Sequence, residues 1–229
     1  MGRTVQLGTV VDRCQKRSDL ENQASISDDD WKELISAVYA ELYGELCKPG
    51  VGYFDVTDTI TTTGVAAYTL PTDHIATIAV SEVMNAAGQL RPLAELMVQE
   101  RHLFKGITGP AMAYRFQGTQ IVLYPTPPAG KTYEHVYVPA PPDLSTANDA
   151  TLIEMATPDG EQFLIWGVCA AALHRLEMDP RFATSKQEAA RERVVEWACI
   201  RSLNSAPRRI VVDEGDEIYD PASFRWNPA

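Results

Sequence analysis

The sequence predicts an α+β chain: an antiparallel helical bundle, a small antiparallel β domain inserted into it, and an extended C-terminal arm. Three observations carry this. The apolar period changes from helical to two near Tyr53 and returns to helical after Pro158. Ser27, Asp28, Asp29, Asp30 and Trp31 spell a capped helix start, and Pro49-Gly50 its stop. From Ala206 onward, three prolines and a run of acids are mixed with β-branched and aromatic residues. The predicted boundaries are 1–51 with 150–205 for the bundle, 52–149 for the β domain and 206–229 for the arm.

Leu7, Val10, Val11 and Cys14 recur at helical spacing and predict a short first helix ending near Lys16-Arg17. In the second helix, Trp31, Leu34, Ile35, Val38, Leu42 and Leu46 share one face. Its aspartates sit at the N-terminal end, where the helix dipole favours negative charge. Phe54, Val56 and Ile60 then alternate with Asp55, Thr57 and Thr59, a strand pattern that Gly64 turns. Tyr68 and Leu70 lead to Pro71, Ile78 and Val80 continue as strand, and Asn85 to Gly88 is a turn. Glu95 to Phe104 reads as a short helix. Tyr114 to Phe116, Gly118 and Ile121 to Tyr124 read as a hairpin, with one more strand over Tyr133 to Val138. Proline clusters at 125–128 and 139–142 bound these strands and suit exposed edges.

Helix returns after Pro158. Phe163, Trp166, Val168, Cys169, Ala172, Leu173 and Leu176 are apolar on more than one side, which predicts a central helix ended by Asp179-Pro180. Thr184 or Ser185 starts the last one, with Val194, Val195, Ala198 and Leu203 on its apolar face.

The 229 residues carry a net charge of −11 and a pI near 4.8. That balance argues against a protein whose task is to grip nucleic-acid phosphates, and suits a surface past which DNA slides without sticking. No run of residues is long and apolar enough for a membrane span, and the start lacks the pattern of a signal peptide or a myristoylation site. Cys14, Cys47, Cys169 and Cys199 are far apart with no Cys-x-x-Cys, as reduced core residues are; a disulfide pair has no support in their spacing.

Catalytic and metal-binding patterns are missing from the sequence. His74, His102, His135 and His174 fall in four predicted elements without paired ligand spacing, so zinc requires a meeting that only the fold can arrange. Asp73-His74 cannot act as a dyad if both lie in one strand, because neighbours there face opposite ways. Gly50-Val-Gly52 follows a helix and lacks the rest of a nucleotide loop. Glu95 and Glu100 read better as charges on an exposed helix than as a glycosidase pair. Arg191, Arg193, Arg201, Arg208 and Arg209 are the one basic concentration, either a solvated face or partners for an acidic neighbouring subunit. No cofactor is implied, and no enzyme signature emerges.

The arm is the candidate site, through Arg208, Arg209, Ile210, Val211, Val212, Tyr219, Phe224 and Trp226. A solvating tail lacks such groups. Docking the three aromatics stabilises by roughly 10–20 kcal/mol at most, at ~150–250 Å² each and ~25 cal/mol/Å². Ordering the segment costs about 1–2 kcal/mol per residue. Aromatics alone lose, so an ordered arm also needs backbone hydrogen bonds, with Arg209 to Asp213 the best candidate for an added strand. The opposing reading is a frayed terminus with incidental aromatics.

The order of these features resembles the head–tail adaptor (connector, neck) proteins of tailed bacteriophages. The resemblance lies in Ile26-Ser-Asp-Asp29 with Leu34-Ile-Ser-Ala-Val-Tyr-Ala-Glu-Leu-Tyr43, and in Ala67-Tyr-Thr-Leu-Pro-Thr-Asp73. It continues through Tyr114-Arg-Phe-Gln-Gly118, Ile121-Val-Leu-Tyr-Pro125, Pro127-Pro-Ala-Gly130 and Tyr137-Val-Pro-Ala-Pro-Pro142, then the closing helix pair and arm. It implies a homo-oligomeric ring, usually of about twelve copies (a 12-mer), under the portal of a filled capsid. Helical bundles pack side by side, arms climb onto the portal protein, a tail or neck protein binds below, and double-stranded DNA passes through the channel without sequence-specific contact. The implied location is the virion neck after assembly in the host cytoplasm, and there are no catalytic residues to carry over. A rival reading makes the β domain a ligand- or carbohydrate-binding module of a tail or baseplate component, with Tyr53, Tyr114, Tyr124, Tyr133 and Tyr137 stacking on sugars.

Overall fold

Ser27 starts α2 (Asp28–Leu46) as its sequence dictates. Its hydroxyl accepts from the Asp30 amide, and the Asp30 carboxylate accepts the Ser27 amide in return. These hydrogen bonds, with the Arg175 guanidinium, hold the Asp30 carboxyl down at about 2. The structure, a computed structural model, describes residues 3–21, 25–47, 52–85 and 88–205.

α1 (Leu7–Ser18) turns Leu7, Val10, Val11 and Cys14 inward. α3 (Pro158–Arg175) is capped by Thr157, whose hydroxyl accepts from the Gly160 amide. Apolar nearly all round, α3 is central: α1, α2 and α4 (Arg181–Ser205) all pack on it. Close approach requires Gly167, where a Cβ would stand 2.6 Å from Val38 of α2 and from Gln187 of α4. Glu161, buried at the start of α3, is held by Arg3 and Arg13. β1 (Thr4–Gln6) pairs antiparallel with β10 (Leu152–Glu154), adding a two-stranded sheet to the helical body.

Between α2 and β10 lie two four-stranded sheets. One has the order β2 (Val56–Thr61), β9 (Thr132–Pro139), β4 (His74–Val83), β5 (Leu90–Pro92), all antiparallel. The other has the order β3 (Ala67–Thr69), β8 (Gln120–Tyr124), β7 (Ala113–Gln117), β6 (Ala94–Glu95), and its last pair is parallel. Ile60, Val80 and Tyr133 of the first sheet share a core with Tyr114, Ile121 and Leu123 of the second, so the sheets form a sandwich. The buried Glu82 is met there by Arg91 and Lys131.

The expected antiparallel helical bundle with one small inserted sheet is therefore overturned. The described residues form a mixed α/β fold with five helices, one of them a 3-10 helix over Val98–Phe104, and three sheets. The reason is area. A strand of alternating character has one apolar face to cover, and the helices spend their apolar stripes on their own core. The strands must then cover one another, which takes two sheets. Val138, on the other face of β9, even joins the helical core.

Four local expectations change with it. The proline-bounded strands β8 and β9 are interior, not edges; Pro139 stands at the end of β9, where its missing amide is harmless. The segment from Glu95 opens as a parallel strand and then a 3-10 helix. Phe54 precedes β2 and packs on the helical core. The last helix begins at Arg181, with the Thr184 amide already bonded to the Pro180 carbonyl, rather than at Thr184 or Ser185.

Candidate docking site at the end of the last helix

α4 delivers Trp197 and Arg201 to a seam where three other segments meet. One helical turn apart, the two side chains share a face. The Arg201 guanidinium lies 5.6 Å from the Trp197 ring and 5.4 Å from that of Tyr53, and donates to the Gly52 carbonyl at 3.2 Å. Tyr53 meets Trp197 edge-on at 5.7 Å and Phe54 at 4.8 Å, and Phe54 stacks on Tyr43 of α2 at 4.3 Å. Hydroxyls tie the seam to backbone: Tyr39 donates to the Glu154 carbonyl at 3.1 Å and Tyr43 to the Pro139 carbonyl at 2.9 Å. Burial, with the Glu154 carboxylate alongside, pushes the Tyr53 phenol up to about 12, so it stays a donor at any physiological pH. The seam holds the C-terminal part of α4 against the segment that follows α2.

A second feature lies on the helical body. α2 and α4 both rest on α3 and leave between them a groove of about 560 Å³. Ala40 and Gly44 form its exposed apolar part over the buried Phe163, Glu41 and Glu188 stand exposed on its two walls, and Arg191 bonds Glu45 at 2.6 Å across it.

The predicted arm residues Arg208, Arg209, Ile210, Val211, Val212, Tyr219, Phe224 and Trp226 lie outside the described residues. Of the basic concentration, Arg191 meets Glu45 and Arg193 meets Asp159 within the chain, and Arg201 belongs to the seam. The tyrosines proposed for sugar stacking are mostly inside: Tyr114, Tyr133 and Tyr137 are buried, which leaves their faces no room for a ligand. Tyr53 and Tyr124 are half-buried, so the carbohydrate reading keeps two of its five stacking rings.

The fold does arrange one meeting that sequence spacing hides. Thr77 bridges His74 and His135, its Oγ1 lying 2.9 Å and 2.8 Å from their Nε2 atoms. His135 is fully buried and its Nδ1 has no partner. An orphaned acceptor costs less than an orphaned donor, so Nδ1 is bare, His135 donates from Nε2 to Thr77, and Thr77 donates to His74. Burial pulls both histidines down from their ordinary value. They remain a pair: among the described residues no cluster of three or more His, Cys, Asp or Glu is placed to hold a metal. Cys14 and Cys169 are likewise buried and unbridged, the Cys169 thiol meeting the Cys14 carbonyl at 3.5 Å.

Sequence reasoning missed the seam because its members come from four segments; the spacing of Trp197 and Arg201 was the one local signal. It missed the groove because Glu41 and Glu188 are distant in the chain. Among the described residues no helix is long and apolar enough to cross a membrane. A family model described as SU10 adaptor protein matches residues 6–216. No curated protein matches the chain.

Proposed function

Because the chain belongs to the SU10 adaptor protein family, a family of phage head–tail adaptors, we propose that it assembles as a ring between portal and tail, anchored by its C-terminal arms. The coarse role is that of a structural virion protein. In this reading the helical unit, residues 1–51 with 150–205, packs side by side around a channel. The unit 52–149 faces a neighbouring neck component, and residues 206–229 reach onto the portal protein. The net charge of −11 suits a channel that DNA must traverse without sticking. A ring of about twelve copies places the complex in the virion neck, with weak single-arm contacts summed by symmetry.

The observation that carries this reading is the family match over residues 6–216, which takes in every described element from α1 to α4. The seam adds a physical reason for the arm to work: an aromatic and cation–π clamp near the end of α4 anchors the arm's root, and so reduces the entropy lost when it docks. The test is deletion of 206–229. The truncated chain is expected to keep its fold by circular dichroism and to lose sedimentation with portal rings. Undiminished binding by the truncated chain would falsify the arm's role.

A further inference from the structure

The arm has two chemically different parts. Arg208 to Val212 is basic and β-branched and falls within the family match, which ends at residue 216; Tyr219, Phe224 and Trp226 lie beyond it. The helical body carries a groove of complementary character. Its wall residues Glu41 and Glu188, with Glu45, outnumber the lone Arg191, and the exposed Ala40 and Gly44 supply apolar surface beside them. The α4 lining runs from Thr184 to Arg191, about 10 Å at 1.5 Å per residue. That length accommodates about three extended residues.

We propose that the groove between α2 and α4 of one copy seats Arg208, Arg209 and Ile210 of a neighbouring copy. The arginines meet Glu41 and Glu188, and Ile210 covers Ala40 and Gly44. The proposal rests on the ring reading above and divides the arm's labour: its root joins copy to copy, leaving the aromatic tip for the portal.

Chain length decides why the guest comes from a neighbour. Glu188 and the last residue of α4, Ser205, share one helix and stand about 25 Å apart along its axis. To enter its own groove the chain must reverse direction after Ser205, and the tightest reversal, a β-turn, itself takes about four residues. Arg208 and Arg209 are consumed in making that turn and emerge level with the helix end. The same pair on an adjacent copy needs no reversal.

Two full-length chains test this, both carrying Cys199→Ser to remove the exposed native thiol. One also carries Arg209→Cys and the other Glu188→Cys; they are mixed, with and without portal rings of the same phage, and oxidised. Glu188 is exposed on α4, and Arg209 lies past the last described residue. The expected result is a disulfide-linked heterodimer, lost when the second chain also carries Glu41→Arg. Two results overturn the proposal: no heterodimer above that from a Glu33→Cys control, or a link within one chain bearing both cysteines. Portal sedimentation of the same mixtures reads the ring-and-portal proposal separately. Chains that bind portal without cross-linking sink the groove alone, and chains that do neither sink both.

Discussion

Tyr53 donates its hydroxyl to the Glu154 carboxylate at 2.8 Å, tying the segment after α2 to the strand that precedes α3. This hydrogen bond and the Arg201 guanidinium over the same ring make Tyr53 the hub of the seam. Tyr53→Phe keeps the ring contacts and removes one bond to a charged acceptor, an expected cost of about 1–2 kcal/mol in urea unfolding. Tyr53→Ala also removes the ring and is expected to cost about 2–4 kcal/mol. If the two variants unfold at the same urea concentration, the ring contacts contribute nothing and the clamp is misread.

The same phenol gives an alkaline limit. Its folded value, about 12, lies above the ordinary 10, so the unfolded chain releases the proton first. The stabilisation is whole below pH 10 and is lost as pH rises toward 12. Melting temperature measured across that window is expected to fall, and to fall less steeply in Tyr53→Phe.

His135 and His74 set an opposite limit. Both are held below their ordinary 6.5, chiefly by burial, so the unfolded chain takes up protons that the folded chain resists. Stability is whole above pH 6.5 and declines as pH falls through the folded values, by at most about 1.4 kcal/mol per pH unit for each histidine. Asp58, directly across β2 from His135, opposes the decline, as Asp73 does for His74; Tyr137, stacked on His135, stays neutral here. Thermal melts from pH 7.5 to 5 are expected to show the decline in the natural chain and a shallower one in His135→Leu. A flat profile in the natural chain would mean the pair is solvated.

Gly167→Ala tests how tightly the three helices meet. The new methyl group would stand 2.6 Å from Val38 and from the Gln187 side chain, an overpacking cost of about 1–3 kcal/mol. Gln187 can swing away; Val38, buried between α2 and α3, cannot. The double variant Gly167→Ala/Val38→Ala is therefore expected to recover part of the loss in chemical denaturation, whereas equal loss in both would place the strain elsewhere.

What the sequence made legible was local. Ser27 and Asp30 are three residues apart and cap one helix; the Tyr114–Tyr124 hairpin is folded by its own turn at Gly118. Alternation of Val56 and Ile60 with Thr57 and Thr59 announced a strand but not its partner, since period two is silent about which sheet covers which. Hence the sandwich, the parallel pair of β6 with β7 and the His74–Thr77–His135 bridge stayed hidden: each joins residues whose spacing carries no shared period. The seam was half visible. Tyr53 and Arg201 stood out by type, but only the packing of α4 across the start of the β segment brings them together.

The tip of the arm supplies the last prediction. Tyr219, Phe224 and Trp226 are too few to order two dozen residues by apolar burial alone, so each single arm binds weakly and small losses per arm multiply around a ring. Trp226→Ala, with the largest ring removed from a desolvated contact, is expected to cost about 2 kcal/mol or more per arm, a weakening of roughly thirtyfold or more for an isolated arm. Arg208→Ala leaves the tip intact and acts between copies instead. Surface plasmon resonance of immobilised portal rings, read at low and high adaptor density, separates the two. Trp226→Ala should weaken binding at both densities, and Arg208→Ala chiefly where neighbouring copies can touch. Equal losses at every density for both variants would merge root and tip into one portal contact and remove the reason for a seat between α2 and α4.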